Sequence, residues 1–166
     1  MARPRTPAHT PDHPPARPAR PPAPARTRTR RALILAAIAA GGGLGSTARH
    51  LIETAMPAAP GAVPWATLLI NVTGCLAMGA LMVGVLEAWP PSRYVRPFWG
   101  IGFLGGFTTF STYALELRDL GGGGAWNAAA GYALGSIAAG IAAVCAGTVA
   151  ARALARRRRP AGERHT

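Results

Sequence analysis

Gly105-Gly106-Phe107-Thr108-Thr109-Phe110-Ser111-Thr112-Tyr113 is the stretch on which the reading of the fold turns. It sits inside an uncharged run, residues 97–115, yet it holds two adjacent glycines, three threonines and a serine. Threonine and glycine are both poor helix formers, and paired glycines are recognised kink sites. The pattern predicts a helix broken at about 105–111. A continuous Thr-rich helix, its hydroxyls bonded back one turn, is the alternative, and the doubled glycine favours the break. Irregular backbone at membrane depth survives only where protein or a water-filled path satisfies it. Carbonyls freed there face a cation, while a half-helix N-terminus and the hydroxyls face an anion.

Outward from that stretch the chain is apolar in four runs, 32–48, 54–86, 97–115 and 120–151. About 20 residues of helix cross about 30 Å of hydrocarbon, so each run holds one crossing. Pro57, Pro60 and Pro64 mark the true start of the second. The expected helices lie near 32–52, 64–88, 95–119 and 126–151, joined by short links at 53–63, 89–94 and 120–125. The fold class is an all-α membrane protein of four transmembrane helices, the third broken mid-membrane. Three segments follow: a disordered Arg/Pro-rich tail over 1–31, a membrane domain over 32–152 and a basic tail over 153–166. The first tail has no apolar periodicity with which to offset its ordering entropy.

Charge supports the same division. All 18 basic side chains are Arg, eight before Ala32 and six after Ala151. The 120 residues between carry four Arg and four acidic groups, whereas a soluble domain carries about a quarter charged residues. A soluble enzyme is therefore excluded, and a nucleic-acid binder would need its basic face on a folded domain; no nucleic acid is expected as partner. Thr29-Arg30-Arg31-Ala32-Leu33-Ile34 resembles a twin-arginine export signal, with Ala37-Ile38-Ala39 as its cleavage site, but three further spans follow where a soluble passenger should be. Cys75 and Cys145 lie in apolar runs and read as packing residues. His50 stands alone, and the other histidines are in the tails, so no metalloenzyme is expected.

Polar groups inside the spans are the candidates for function. Asn71 lies mid-span, near Thr67 and Thr73, either as a ligand or as structural glue between helices. Arg49 and Glu53 are spaced to pair at the end of the first helix. Gly102-x3-Gly106 and Gly131-x3-Gly135 have the spacing that lets membrane helices approach closely.

The run Gly102-Phe103-Leu104-Gly105-Gly106-Phe107-Thr108-Thr109-Phe110-Ser111-Thr112-Tyr113, with Glu116 one turn later, resembles the signature of the CrcB/Fluc fluoride channels. Gly42-Gly43-Leu44-Gly45-Ser46-Thr47-Ala48-Arg49-His50 is similar to that family's first-helix motif, and Thr67-Leu68-Leu69-Ile70-Asn71-Val72-Thr73-Gly74 to its second. The likeness covers about 32–152. It implies a bacterial plasma-membrane channel, an antiparallel dimer in the lipid bilayer that passes fluoride through two pores around a central structural sodium ion. Carried over by position, Asn71 donates to fluoride, and Phe110 and Tyr113 turn ring edges to it. Tyr132 and Ser136, one turn apart on the fourth helix, continue a polar track with Ser111, Thr112 or both. Glu116 is a membrane carboxylate near the pore, Arg49 charges the vestibule, and Gly105 and Thr108 offer carbonyls to sodium. Two positions depart from the family: Tyr113 stands where Phe is usual, and Gly140 where a hydroxyl is expected.

The alternative is a small four-helix multidrug exporter, which needs a carboxylate in the first span; residues 32–48 have none. Orientation follows Arg in the short segments beside the spans. Arg26, Arg28, Arg30, Arg31, Arg93, Arg96, Arg152 and Arg156 to Arg159 all belong to one side. Both termini are thus expected in the cytoplasm, which implies pairing with a related subunit of opposite orientation. Reporter fusions at the C-terminus check this: signal from the cytoplasmic side alone is expected, and comparable signal from both sides would contradict it.

Overall fold

The computed structural model describes residues 25–88 and 92–158, and among them every regular element is a helix. Helix α1 is Ala25–Ala55, and α2 is Trp65–Val83, prolonged by a π-helical turn at Gly84–Ala88. Helix α3 is wound as a π-helix over Arg96–Leu104 and closes with an α-turn at Gly105–Phe107. Ser111–Gly122 forms α4 and Trp126–Arg158 forms α5.

Helix α1 begins at Ala25, ahead of the expected start at 32. From Ala25 to Ala40 there is neither Gly nor Pro, and Arg and Ala are strong helix formers. The same composition carries α5 past 151 to Arg158. Residues 1–24, 89–91 and 159–166, which hold the rest of the expected tails and part of a link, lie outside the described residues.

Three helical stretches are long and apolar enough to cross a membrane: Thr27–Ala55, Trp65–Glu87 and Trp126–Arg157. The crossing expected at 95–119 is divided between α3 and α4, with residues 108–110 outside either helix. Helix α4 has 12 residues, about 18 Å of rise, too short to cross alone. Leu33, Leu44, Leu69, Leu76, Leu134 and Ile141 are exposed around the bundle, as a lipid-facing surface requires. Trp65 and Trp126, both exposed, open α2 and α5, while Tyr94 and Trp99 are exposed at the other end. Such aromatic pairs suit the two membrane–water interfaces.

Packing is parallel within two pairs of helices. Helix α1 runs with α3: a Cβ on Gly41 would meet the Phe98 carbonyl oxygen, and one on Gly45 the Phe103 carbonyl oxygen. From the other side, a Cβ on Gly102 would come within 2.6 Å of the Ile38 carbonyl oxygen, and one on Gly106 within 2.5 Å of that of Gly42. The Gly102-x3-Gly106 pair thus meets a Gly41-x3-Gly45 pair that the sequence reading did not single out. Helix α2 runs with α5, where Gly79 lies against Val144 and Thr148, and Gly147 against Leu76 and Ala80. At the Gly131-x3-Gly135 pair, added Cβ atoms would meet nothing within 4 Å among the described residues. Helix α4 is held to α5 through a small core of Tyr113, Leu120, Ala129 and Tyr132.

These contacts separate two glycines two residues apart. Gly45→Ala is expected to lower stability by about 1–3 kcal/mol, since its methyl meets backbone that has no rotamer to give. Gly43→Ala, whose methyl enters open space, is expected to gain up to about 1 kcal/mol of helix propensity. Thermal unfolding of the two purified variants in detergent checks the opposite signs.

Candidate functional site

The site is built where the backbone leaves the helix. Thr108 is extended (φ −77°, ψ 153°), and Phe110 returns to helical angles just before α4. The Asn71 side chain, projecting from the middle of α2, takes both backbone groups of Thr109. Its Nδ2 donates to the Thr109 carbonyl oxygen at 2.9 Å, and its Oδ1 accepts from the Thr109 N–H at 2.9 Å. A primary amide has an acceptor and two donor hydrogens, so Asn71 replaces a missing peptide partner and keeps one N–H in hand. Gly74, one turn on, has no side chain, and the Thr108 methyl occupies the space a Cβ would need.

Thr109 then organises the start of α4. Its hydroxyl donates to Thr112 Oγ1 at 3.0 Å, accepts from the Thr112 N–H at 3.2 Å and lies 3.3 Å from Ser111 Oγ. On the other side of the break, Thr108 bonds back to the Leu104 carbonyl through its hydroxyl at 2.9 Å and its N–H at 3.0 Å. Helix α1 supplies two donors to the Gly106 carbonyl: Arg49 Nε at 3.2 Å and Ser46 Oγ at 3.4 Å. Arg49 also pairs with Glu53 at 3.4 Å, as the sequence spacing predicts. In an unbroken helix the N–H four residues on would serve the Gly105 and Thr108 carbonyls. Here the Thr109 N–H goes to Asn71 and the Thr112 N–H to the Thr109 hydroxyl.

Glu116 is held by two hydroxyls, Thr67 Oγ1 at 2.6 Å and Tyr132 OH at 2.8 Å. Thr67 and Tyr132 are buried. Tyr132 also lies 5.3 Å, ring to ring, from Tyr113, whose hydroxyl donates to the Ala133 carbonyl. The Phe110 ring is 5.8 Å from that of Tyr113, yet Phe110 is 78% exposed. One turn beyond Tyr132, Ser136 Oγ is buried without a hydrogen-bond partner among the described residues. Gly140 lies beside Cys75. Among the described residues no cluster of three or more His, Cys, Asp or Glu could hold a metal.

A family model described as "CrcB-like protein, Camphor Resistance (CrcB)" matches residues 36–148. The chain belongs to the CrcB-like family. The match takes in every residue of the site. "Fluoride-specific ion channel FluC 2" of Nocardia farcinica is 56% identical over 130 residues, which cover 78% of this chain and 93% of the relative. "Fluoride-specific ion channel FluC 3" of Streptomyces avermitilis is 47% identical over 80% of this chain, a match that spans 65% of the relative's length. "Fluoride-specific ion channel FluC 1" of Streptomyces coelicolor is 41% identical over 78% of this chain and 85% of its own.

Sequence reasoning missed the roles of four residues. Thr109, inside the Gly105–Tyr113 run, is the hub of the non-helical residues 108–110. Thr67 sits four residues before Asn71, a spacing that puts both on one helix face and could have flagged it. Ser46 and Gly106 meet across 60 positions, and no local pattern announces that. Asn71→Ala removes both bonds to Thr109 and is expected to cost about 2–4 kcal/mol. Asn71→Gln, with the amide displaced by one methylene, is expected to recover only part of it. Unfolding of the purified variants in detergent checks both.

Proposed function

We propose that this chain is one half of an antiparallel dimeric channel that conducts fluoride selectively across the plasma membrane and lowers fluoride inside the cell. The interruption at 108–110, served by Asn71 and flanked by an exposed phenylalanine, carries the proposal. The relatives named as fluoride-specific channels support it. In this reading α3 and α4 make one broken crossing, and Phe110 is completed by a second subunit. The Arg distribution keeps both termini in the cytoplasm and favours a related, oppositely oriented partner over a second copy inserted the other way.

Fluoride is small and strongly hydrated, so dipoles must replace its water. Asn71 contributes its remaining N–H, and Ser111 and Thr112 contribute hydroxyls that the Thr109 network holds near the start of α4. The Phe110 ring presents a partially positive edge. Tyr132 and Ser136 continue the track along α5, with Ser136 Oγ lacking a hydrogen-bond partner among the described residues. These donors are neutral. A full positive charge at the narrowest point would hold the anion too tightly to release it; Arg49, already engaged with Gly106 and Glu53, attracts fluoride to the vestibule instead. Glu116 keeps Thr67 and Tyr132 oriented beside the path. The Gly105 and Thr108 carbonyls, without helical donors, would hold the structural sodium ion, whose charge would fix the break between subunits.

Phe110→Ile fills similar space without the aromatic quadrupole. Fluoride efflux from liposomes holding the variant is expected to fall by about 10-fold or more, while size-exclusion behaviour is retained; each tenfold corresponds to about 1.4 kcal/mol at the barrier. Undiminished flux through a correctly assembled variant would remove the ring-edge mechanism.

A further inference from the structure

The parallel register of both helix pairs fixes where their charged ends go. Ile38 is level with Gly102, so the first turns of α1 and the start of α3 lie at the same end. Cys75 lies by the Gly140 position, Gly79 by Val144, and Glu87 pairs with Arg152 at 2.8 Å, so the ends of α2 and α5 also coincide. Gly100 near the start of α3 lies by Leu81 near the end of α2, so the two pairs meet at that same end. Arg28, Arg30 and Arg31 from α1, Arg93 and Arg96 from the start of α3, and Arg156 and Arg157 from α5 therefore form one collar, and all seven are exposed. Among the described residues the collar's end holds one acidic group, Glu87, which Arg152 engages through Nε and Nη2. The opposite end is balanced: Arg49 pairs with Glu53, and Arg118 with Asp119.

Exposed Tyr94 and Trp99 lie within this same basic end. Aromatics of that kind settle at the headgroup level, which puts the guanidinium groups around them among phosphates. Guanidinium is weakly hydrated, and its planar fork matches two phosphate oxygens. Clusters of four to eight basic residues beside membrane helices are attracted to anionic leaflets. We infer that the Arg collar is a binding surface for the headgroups of anionic phospholipids, and that it gathers such lipids around one end of the bundle. The inference requires that the bundle span the membrane, and it does not depend on which ion passes through it.

The test uses the full-length protein in phosphatidylcholine vesicles doped with spin-labelled phosphatidylglycerol or spin-labelled phosphatidylcholine. Electron paramagnetic resonance then reads the motionally restricted fraction of each. Phosphatidylglycerol is expected to associate about fivefold more strongly, with the preference collapsing in about 1 M NaCl, where screening acts within about 3 Å. Replacing Arg28, Arg30, Arg31, Arg156 and Arg157 by Gln is expected to remove most of the preference, and replacing them by Lys to keep most of it. Equal restriction of the two lipids by the unaltered protein, or a preference indifferent to salt, would overturn the inference. So would loss of the preference in millimolar inorganic phosphate at constant ionic strength, which would assign the collar to free phosphate. The salt titration needs no variant, so the inference remains testable even if the Gln protein does not insert.

Discussion

A peptide group stranded in hydrocarbon costs several kcal/mol, and Thr109 would strand both its N–H and its carbonyl were Asn71 not beside it. Only a side-chain amide offers donor and acceptor in the spacing a peptide needs, and here both bonds are 2.9 Å long. The consequences run in both directions along the chain. The Thr109 hydroxyl becomes free to start α4 at Thr112. The Gly105 carbonyl loses its helical donor, and the Gly106 carbonyl turns to Ser46 and Arg49. One amide thus decides which backbone groups and hydroxyls the fold consumes around 105–112.

The glycine contacts make that arrangement rigid enough to use. Backbone against backbone between α1 and α3 leaves no side-chain layer to deform, so Ser46 and Arg49 reach Gly106 at a fixed height. On the other side, Gly74 lets α2 come close enough for Asn71 to reach Thr109. Helix α5 follows α2 through Gly79 and Gly147, which sets Tyr132 against Glu116 and brings Ser136 to its buried position. Membrane helices lack a hydrophobic force between them, so close van der Waals packing of this kind has to supply the cohesion.

Helical class, membrane-crossing length and the family were legible in the sequence, because apolar run length and a long motif are local signals. The unusual content of 105–113 was legible for the same reason. What could not be read was pairing across distance: Asn71 with Thr109 across 38 positions, Thr67 with Glu116 across 49, Arg49 with Gly106 across 57. A small-x3-small spacing does not name its partner, so nothing local says that Gly102 and Gly106 meet Gly41 and Gly45. The early start of α1 at Ala25 escaped because Arg and Thr in a charged tail resemble linker composition, although Arg in itself favours helix.

Selective passage of fluoride is the central claim, and anion efflux from liposomes tests it most directly. The reconstituted chain, alone and together with a related subunit of opposite orientation, is loaded in turn with fluoride and with chloride, and release of each is followed with an ion-selective electrode. Rapid loss of fluoride with retention of chloride, from at least one of the two preparations, is the predicted result. Retention of both anions in both preparations, or equal loss of the two, would contradict it.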